Sequence, residues 1–217
     1  AKTDGYTVTV QEAISDRHNT WVLLEVEAPL DVVLDENCVF FKNTHIQMEH
    51  MSGHGYTIYT LPDDNPNDNK LSFVLDFSAR KKLAGQKLTL QLSMLSENEL
   101  NEALEITGER LLAEGPWEFW FEIPERDSTV TMWQWKTLWY QDESFLLQKI
   151  EVSPLSIALQ EIKLTTAMYL RLNEEPVYVY LKDGTQLTLT SNSSGSSGLG
   201  MQYQYQFPFP LDLAEID

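Results

Sequence analysis

Three histidines lie close together in the chain and have the side chains to bind a transition metal. They are His45, His50 and His54, with Glu49 among them. Imidazole nitrogens and carboxylates are the ligands of zinc in metal-dependent hydrolases. If this segment is extended, His45 and His50 point to opposite faces because the offset between them is odd. Polar histidines at the ends of strands are therefore the simpler interpretation.

An acidic loop offers oxygen ligands for calcium. Residues 61–69 contain Asp63, Asp64 and Asp68 together with two prolines. Calcium takes about six to eight oxygen ligands, and this loop lacks the regular alternation and the closing glutamate of an EF-hand. A solvated surface loop is the simpler expectation. These three aspartates, with His50 and His54, are the candidate metal ligands, and we expect no cofactor.

Aromatic residues are crowded between residues 133 and 140. They are Trp133, Trp135, Trp139 and Tyr140. In an extended chain the three tryptophans share one face, since the offsets between them are even. Exposed rings at this spacing can stack on sugar rings, so this group is the candidate ligand-binding site. Burial in a core, or between two domains, is the simpler expectation because large aromatic side chains dominate buried surfaces.

No segment carries a reaction motif. Serines and histidines occur without the strand–turn–helix motif of a serine nucleophile. Glu118 and Glu122 share parity on one strand, but four strand rises separate their backbones by about 13 Å, too far for glycoside hydrolysis by these two groups alone. The sequence therefore predicts a protein that is not an enzyme.

The elements that position these residues are strands. Apolar and polar residues alternate in many segments, which is typical of strands with one buried and one solvated face. The clearest examples are residues 6–10, 21–26, 71–77, 88–92, 117–123, 177–181 and 203–207. Because helical periodicity is almost absent, the sequence predicts an all-β protein.

The length of 217 residues exceeds the roughly 100 residues of one sandwich domain, so two domains are expected. We predict two tandem immunoglobulin-like β-sandwiches, residues 1–124 and 125–217. The first has a short helical insertion near 96–106, because Ser96 and Glu99 have the spacing of a capping box. In the second, Asp183–Gly184 predicts a tight hairpin turn, and the serine- and glycine-rich residues 191–200 predict a flexible loop.

Composition excludes some partners. A net charge of −18, from 33 acidic and 15 basic residues, would repel nucleic acid. The single cysteine, Cys38, cannot form an intramolecular disulfide and is expected to be buried. No apolar run approaches the ~18 residues of a membrane span. We therefore expect membrane attachment only through an anchor outside this sequence.

Four short segments together resemble a known bacterial family. They are residues 115–119 (Gly-Pro-Trp-Glu-Phe), 149–156 (Lys-Ile-Glu-Val-Ser-Pro-Leu-Ser), 181–185 (Leu-Lys-Asp-Gly-Thr) and 211–216 (Leu-Asp-Leu-Ala-Glu-Ile). The family is a two-domain immunoglobulin-like ectodomain of unknown function, found mainly in Gram-positive bacteria. The resemblance implies a single-pass, anti-sigma-factor-like membrane protein with this pair of domains outside the cell. None of the four segments is catalytic.

The expected function is therefore a non-enzymatic sensing or protein-interaction ectodomain on the extracellular face of the cell membrane. Its partner would be an extracellular protein, a wall polymer or a small ligand. A carbohydrate-binding surface module that uses the aromatic residues of 133–140 is the alternative. A metal-dependent hydrolase built on the histidine cluster is the third possibility.

Overall fold

The computed structural model describes residues 1–48, 54–63, 65–66, 68–79, 83–101, 103–124, 128–140, 143–163, 176–189, 191–197 and 200–216. The described chain is all-β, as predicted, and its antiparallel sheets form sandwich-like arrangements. It divides into two compact units, Ala1–Arg126 and Asp127–Asp217. Each unit is described by itself below.

The first unit contains two antiparallel sheets. The first sheet has the strand order β1-β2-β3-β6-β5, and the second has the order β4-β7-β8, with β9 also paired to β7. The strands are β1 (Lys2–Thr3), β2 (Tyr6–Ser15), β3 (Asn19–Glu27), β4 (Val39–Met48), β5 (His54–Thr60), β6 (Lys70–Ala79), β7 (Lys87–Leu100), β8 (Ile106–Ala113) and β9 (Trp117–Glu122). The long strand β7 pairs with β9 through its first half and with β8 through its second half.

The core of the first unit is formed by side chains from both sheets. The alternating positions of β3 and β6 bury valines, leucines and phenylalanines toward β4, β7 and β9. Phe41 of β4 packs between Phe73 of β6, with ring centroids 5.2 Å apart, and Trp117 of β9, with centroids 5.9 Å apart. Cys38 is buried as predicted, and burial, then the neighbouring Asp35 carboxyl, raises the pKa of its thiol.

The predicted helical insertion near 96–106 is wrong. Ser96 and Glu99 lie in β7, and the chain turns directly into β8. The side-chain oxygen of Asn101 accepts hydrogen bonds from the backbone N–H groups of Ala103 and Glu105, both at 2.9 Å, which closes this turn. A capping box is a local signal, and the ladder between β7 and β8 satisfies the same backbone groups over a longer stretch.

The second unit contains a five-stranded antiparallel sheet of order β10-β11-β12-β16-β15 and a two-stranded sheet, β13-β14. The strands are β10 (Val130–Tyr140), β11 (Glu143–Val152), β12 (Ser156–Lys163), β13 (Val177–Tyr180), β14 (Gln186–Leu189), β15 (Ser191–Ser197) and β16 (Gly200–Gln206). A short 3-10 helix, Leu213–Glu215, follows. The predicted hairpin at Asp183–Gly184 joins β13 to β14.

The serine- and glycine-rich segment is not a loop, as the sequence predicted, but the edge strand β15. It pairs with β16 from Ser191 to Ser197. Backbone groups alone form such a ladder, so a segment with small side chains can still complete a sheet.

The core of the second unit contains a carboxyl group. Tyr203 and Tyr205 of β16 are buried with Ile157 of β12 and Leu189 of β14. Glu161 of β12 is also buried, and its Oε1 accepts a hydrogen bond of 3.1 Å from the Tyr203 hydroxyl. Burial raises the pKa of both tyrosines, and the charge of Glu161 raises it further.

These raised pKa values predict a loss of stability at alkaline pH. The folded unit holds phenol protons that the unfolded chain releases at about pH 10, so the free energy of unfolding falls as pH rises through about 10. Below that pH both tyrosines are protonated in either state, and their contribution to the free energy of unfolding is fully present. We expect urea midpoints for the second unit to be level up to about pH 9 and to decline above it, with a smaller slope in Tyr203→Phe.

The slope, rather than the absolute stability, is the measurement that matters here. Tyr203→Phe also removes the hydrogen bond to Glu161, which lowers stability at every pH. Tyr178→Phe is the control, because Tyr178 is half exposed. Equal alkaline slopes in the two variants would contradict the assignment.

Candidate functional site

Three tryptophans on β10 form an exposed row, which we call the tryptophan strip. Trp133, Trp135 and Trp139 are 60%, 56% and 74% exposed. The expectation that they are buried is therefore wrong. Tyr140, the fourth candidate, is the last residue of β10.

The position of β10 explains this exposure. Within the described sheet, β10 is an edge strand that pairs with β11 alone. Met132 lies opposite Ile150, which packs against the core of the second unit, whereas Trp133 lies opposite Lys149. Because successive side chains alternate between faces, Trp133 is directed away from that core.

A β-bulge brings Trp135 next to Trp133. The register between β10 and β11 shifts between Trp133, which pairs with Lys149, and Lys136, which pairs with Leu147. Trp135 has a φ of 49°, a left-handed conformation that is unfavourable by roughly 1–2 kcal/mol for a bulky residue. The two indole rings stack with centroids 6.1 Å apart and an interplanar angle of 11°. Strain that holds a side chain in a particular direction is typical of functional positions.

Charged side chains of β11 lie next to Trp133. The Lys149 ammonium lies 5.9 Å from the centroid of the Trp133 ring, within the range of a cation–π interaction. It also forms an ion pair of 3.1 Å with Glu151 on the same strand. The strip therefore combines flat apolar rings with hydrogen-bonding groups at their border.

The histidine candidates are not brought together by the described residues. His45 lies on the exposed face of β4 opposite Gln91. His54 begins β5, which belongs to the other sheet of the first unit. His50 lies outside the described residues.

The aspartate side chains of the acidic loop accept hydrogen bonds from groups of nearby residues. Asp63 Oδ1 accepts a hydrogen bond of 2.9 Å from the N–H of Asn65, and Asp68 Oδ1 accepts one of 2.8 Å from the N–H of Lys70. Asp68 Oδ2 accepts 2.8 Å from the Asn65 side chain. Asp64 lies outside the described residues. Over the part of the chain that the structure describes, no three His, Cys, Asp or Glu side chains are grouped so as to hold a metal ion.

Sequence reasoning missed a second exposed feature, a groove on the outer face of the second sheet of the first unit. It has a volume of about 630 Å³ and contains Tyr56, His45 and Gln91 among its lining residues. Trp120 of β9, 70% exposed, lies on the same sheet opposite Thr89. The residues next to Trp120 in the sequence alternate between apolar and polar like those of any strand, so this alternation gave no sign of the groove.

Among the described residues, no helix has the length and apolar character needed to cross a membrane.

Comparison with known proteins relates the fold to one solved structure. No family model matches the chain, and no curated protein matches it. The fold is similar to that in the crystal structure of a conserved domain protein from Bacillus anthracis, with a TM-score of 0.64 and 12% sequence identity. The match covers 98% of this chain and 71% of that chain. At this identity the likeness shows a shared fold and nothing about activity.

Proposed function

We propose that this protein is a non-enzymatic sensing or protein-interaction ectodomain, held at the extracellular face of a bacterial membrane by an anchor outside this sequence. The tryptophan strip is the observation that carries the proposal. The resemblance of four sequence segments to the immunoglobulin-like ectodomains of anti-sigma-factor-like proteins supports its location and class.

The strip has the composition of an interaction surface. Adjacent exposed apolar side chains on a soluble domain mark binding sites, and tryptophan is enriched among the residues that contribute most to binding energy. A partner would bury these side chains without any rearrangement of the core.

The bulge at Trp135 favours contact through side chains over the addition of a strand. A bulged edge strand presents an interrupted row of backbone donors and acceptors, which protects the edge from pairing with another strand. The stacked indoles instead present a rigid aromatic surface.

A carbohydrate-binding module is the second candidate, and the stacked pair favours it. The parallel rings of Trp133 and Trp135 are suited to stacking on the C–H face of a sugar. The Lys149 ammonium beside the Trp133 ring is a hydrogen-bond donor of the kind that sugar hydroxyl groups require. In this alternative a wall polysaccharide is the ligand.

Replacement of Trp135 by alanine tests the carbohydrate candidate. The stack is lost, and binding to any glycan that the wild type retains on a glycan array should weaken by about tenfold or more, the effect of removing a dominant aromatic contact. Tyr178→Ala is the matched control, since Tyr178 is 50% exposed in the same unit. Absence of glycan binding by the wild type would remove this candidate and leave the protein-interaction proposal.

The leading proposal is tested by photo-crosslinking in the full-length protein in its own cells. A photoreactive amino acid at position 135 should give a discrete light-dependent adduct with one extracellular protein, whereas the same group at position 178 should not. Adducts of equal yield at both positions, or at neither, would contradict the strip as the interaction site. A reading frame without an upstream membrane span would contradict the proposed location independently.

A further inference from the structure

The first unit has a polar groove, which is formed by a kink in two neighbouring strands. In β4 the buried positions are Val39 and Phe41 before the kink and Ile46 and Met48 after it. The offset from Phe41 to Ile46 is odd, so the first half of β4 buries its odd-numbered residues and the second half buries its even-numbered residues. The paired residues of β7 change alternation at the same place, next to Met94. We call the depression at this point the kink groove.

Met94 is held in an unfavourable backbone conformation at the kink. Its φ is 56°, in the left-handed region that few residues other than glycine adopt. Its N–H donates a hydrogen bond of 2.9 Å to the carbonyl oxygen of Glu114, in the link between β8 and β9. Local strain of this kind concentrates at binding sites, where the surrounding structure maintains it.

The groove is lined by hydrogen-bonding groups that are mostly uncharged. Asn43 and Ser93 lie opposite each other on β4 and β7, and the next pair on the same face is His45 and Gln91. Amides, hydroxyl groups and imidazole act as donors and acceptors together. The apolar part of the lining includes Tyr56, 45% exposed.

The lining of the groove includes one positive and one negative side chain, Lys42 and Glu114. Lys42 contributes a positive charge, but its ammonium is paired with Glu109 at 3.0 Å. Glu114 contributes a negative charge. In a chain with a net charge of −18, a groove without a clear excess of either sign is suited to a neutral polar ligand.

We infer that the kink groove binds a short, uncharged oligosaccharide. Sugar rings present several hydroxyl groups and an apolar C–H face, which match the amides and hydroxyl groups of the lining and its Tyr56 ring. A volume of about 630 Å³ lies within the usual range of ligand sites. The inference concerns the first unit alone and goes beyond the proposed role of β10.

An extended peptide fits this groove less well than a saccharide. A peptide commonly binds by adding a strand to a free edge. At the edge of β4 the Tyr56 hydroxyl already donates a hydrogen bond of 2.9 Å to the carbonyl oxygen of Thr44. This bond occupies one of the acceptors that an added strand would use, and it fixes the tyrosine ring beside the groove.

Titration of the isotope-labelled protein with pentasaccharides of glucose, mannose, xylose and N-acetylglucosamine, followed by amide NMR shifts, tests the inference. We expect at least one sugar to shift the amides of Asn43, Gln91 and Ser93. Tyr56→Ala should weaken that sugar's binding by about tenfold, as expected for loss of an aromatic contact and an anchoring hydroxyl group. Tyr59→Ala is the matched control, since Tyr59 is 39% exposed on the same strand and does not line the groove.

A double variant, Trp133→Ala/Trp135→Ala, separates this inference from the proposed function. It should leave the shifts at the groove unchanged even if it removes all binding at β10. Failure of every sugar to shift the groove amides, or equal losses in Tyr56→Ala and Tyr59→Ala, would overturn the inference. Shifts confined to the amides of β10 would also overturn it, while supporting the carbohydrate alternative for the strip.

Discussion

Replacement of Gly200 by alanine should disrupt the large sheet of the second unit. Gly200 is buried where β16 pairs with Ile162 of β12. A Cβ atom at this position would overlap the backbone carbonyl oxygen of Glu161, well inside van der Waals contact. Backbone atoms cannot rotate away as a side chain does, so the two strands would have to separate. We expect a loss of about 3 kcal/mol or more in the free energy of unfolding of this unit.

Gly55→Ala is the matched control for this effect. Gly55 also lies in a strand, β5, but a Cβ there would meet only the Ser78 Oγ at an ordinary 3.8 Å. Urea unfolding followed by circular dichroism measures the stability, and hydrogen exchange locates the change. Protection should be lost in β11 and β12 and kept in β3, because the two units have separate cores. Equal stability of the two variants would show that β12 and β16 are not packed as described.

Alternation of apolar and polar residues was sufficient to predict the all-β fold. Valines and leucines of β3 at positions 22, 24 and 26 are fully buried, as a period of two requires. Such a pattern states which side chains share a face. It does not state which face is covered, and this is why the tryptophan strip was expected to be buried. In β10 both faces carry large apolar residues, so only the sheet order shows which face meets the core.

Local signals failed where pairing with other strands satisfied the same backbone groups. Ser96 and Glu99 have the spacing of a helix start, but β4 and β8 both offer ladders to this part of β7. Residues 191–197 have the composition of a linker, yet β16 had an unpaired edge that they complete. One partner of β7, the strand β4, is far away in the sequence, and β15 has no side-chain pattern of its own, so local composition reveals neither ladder.

The kink groove could not be predicted because its cause is a backbone conformation. A left-handed residue is usually signalled by glycine or asparagine, and here it is Met94. The same applies to Trp135, where a bulky residue occupies a conformation that its type disfavours. Both candidate sites therefore coincide with positions at which local preference and tertiary structure disagree, which is expected of functional surfaces.

The sequence segment that resembles the ectodomain family also contains an important core residue, Trp117. Its side chain is fully buried, and its indole N–H donates a hydrogen bond of 3.3 Å to the carbonyl oxygen of Tyr6. The preceding Gly115, at a φ of 80°, lies so close that an added Cβ would be 3.0 Å from the indole ring. The segment thus joins β9 to the opposite sheet, and its residues contribute to packing.

Trp117→Ala should therefore destabilise the first unit by about 3–5 kcal/mol, the usual loss for deletion of a buried tryptophan side chain. The cavity would lie against Phe41, whose ring meets the indole edge-on at 78°, and the carbonyl of Tyr6 would lose its side-chain donor. Trp120→Ala is a matched control from the same strand, because Trp120 is 70% exposed and should change stability by no more than about 0.5 kcal/mol. Urea unfolding of both variants, with amide exchange in β3 and β6 as the local measure, distinguishes the outcomes. If Trp120→Ala were as destabilising as Trp117→Ala, the assignment of one tryptophan to the core and the other to the surface of β9 would be wrong.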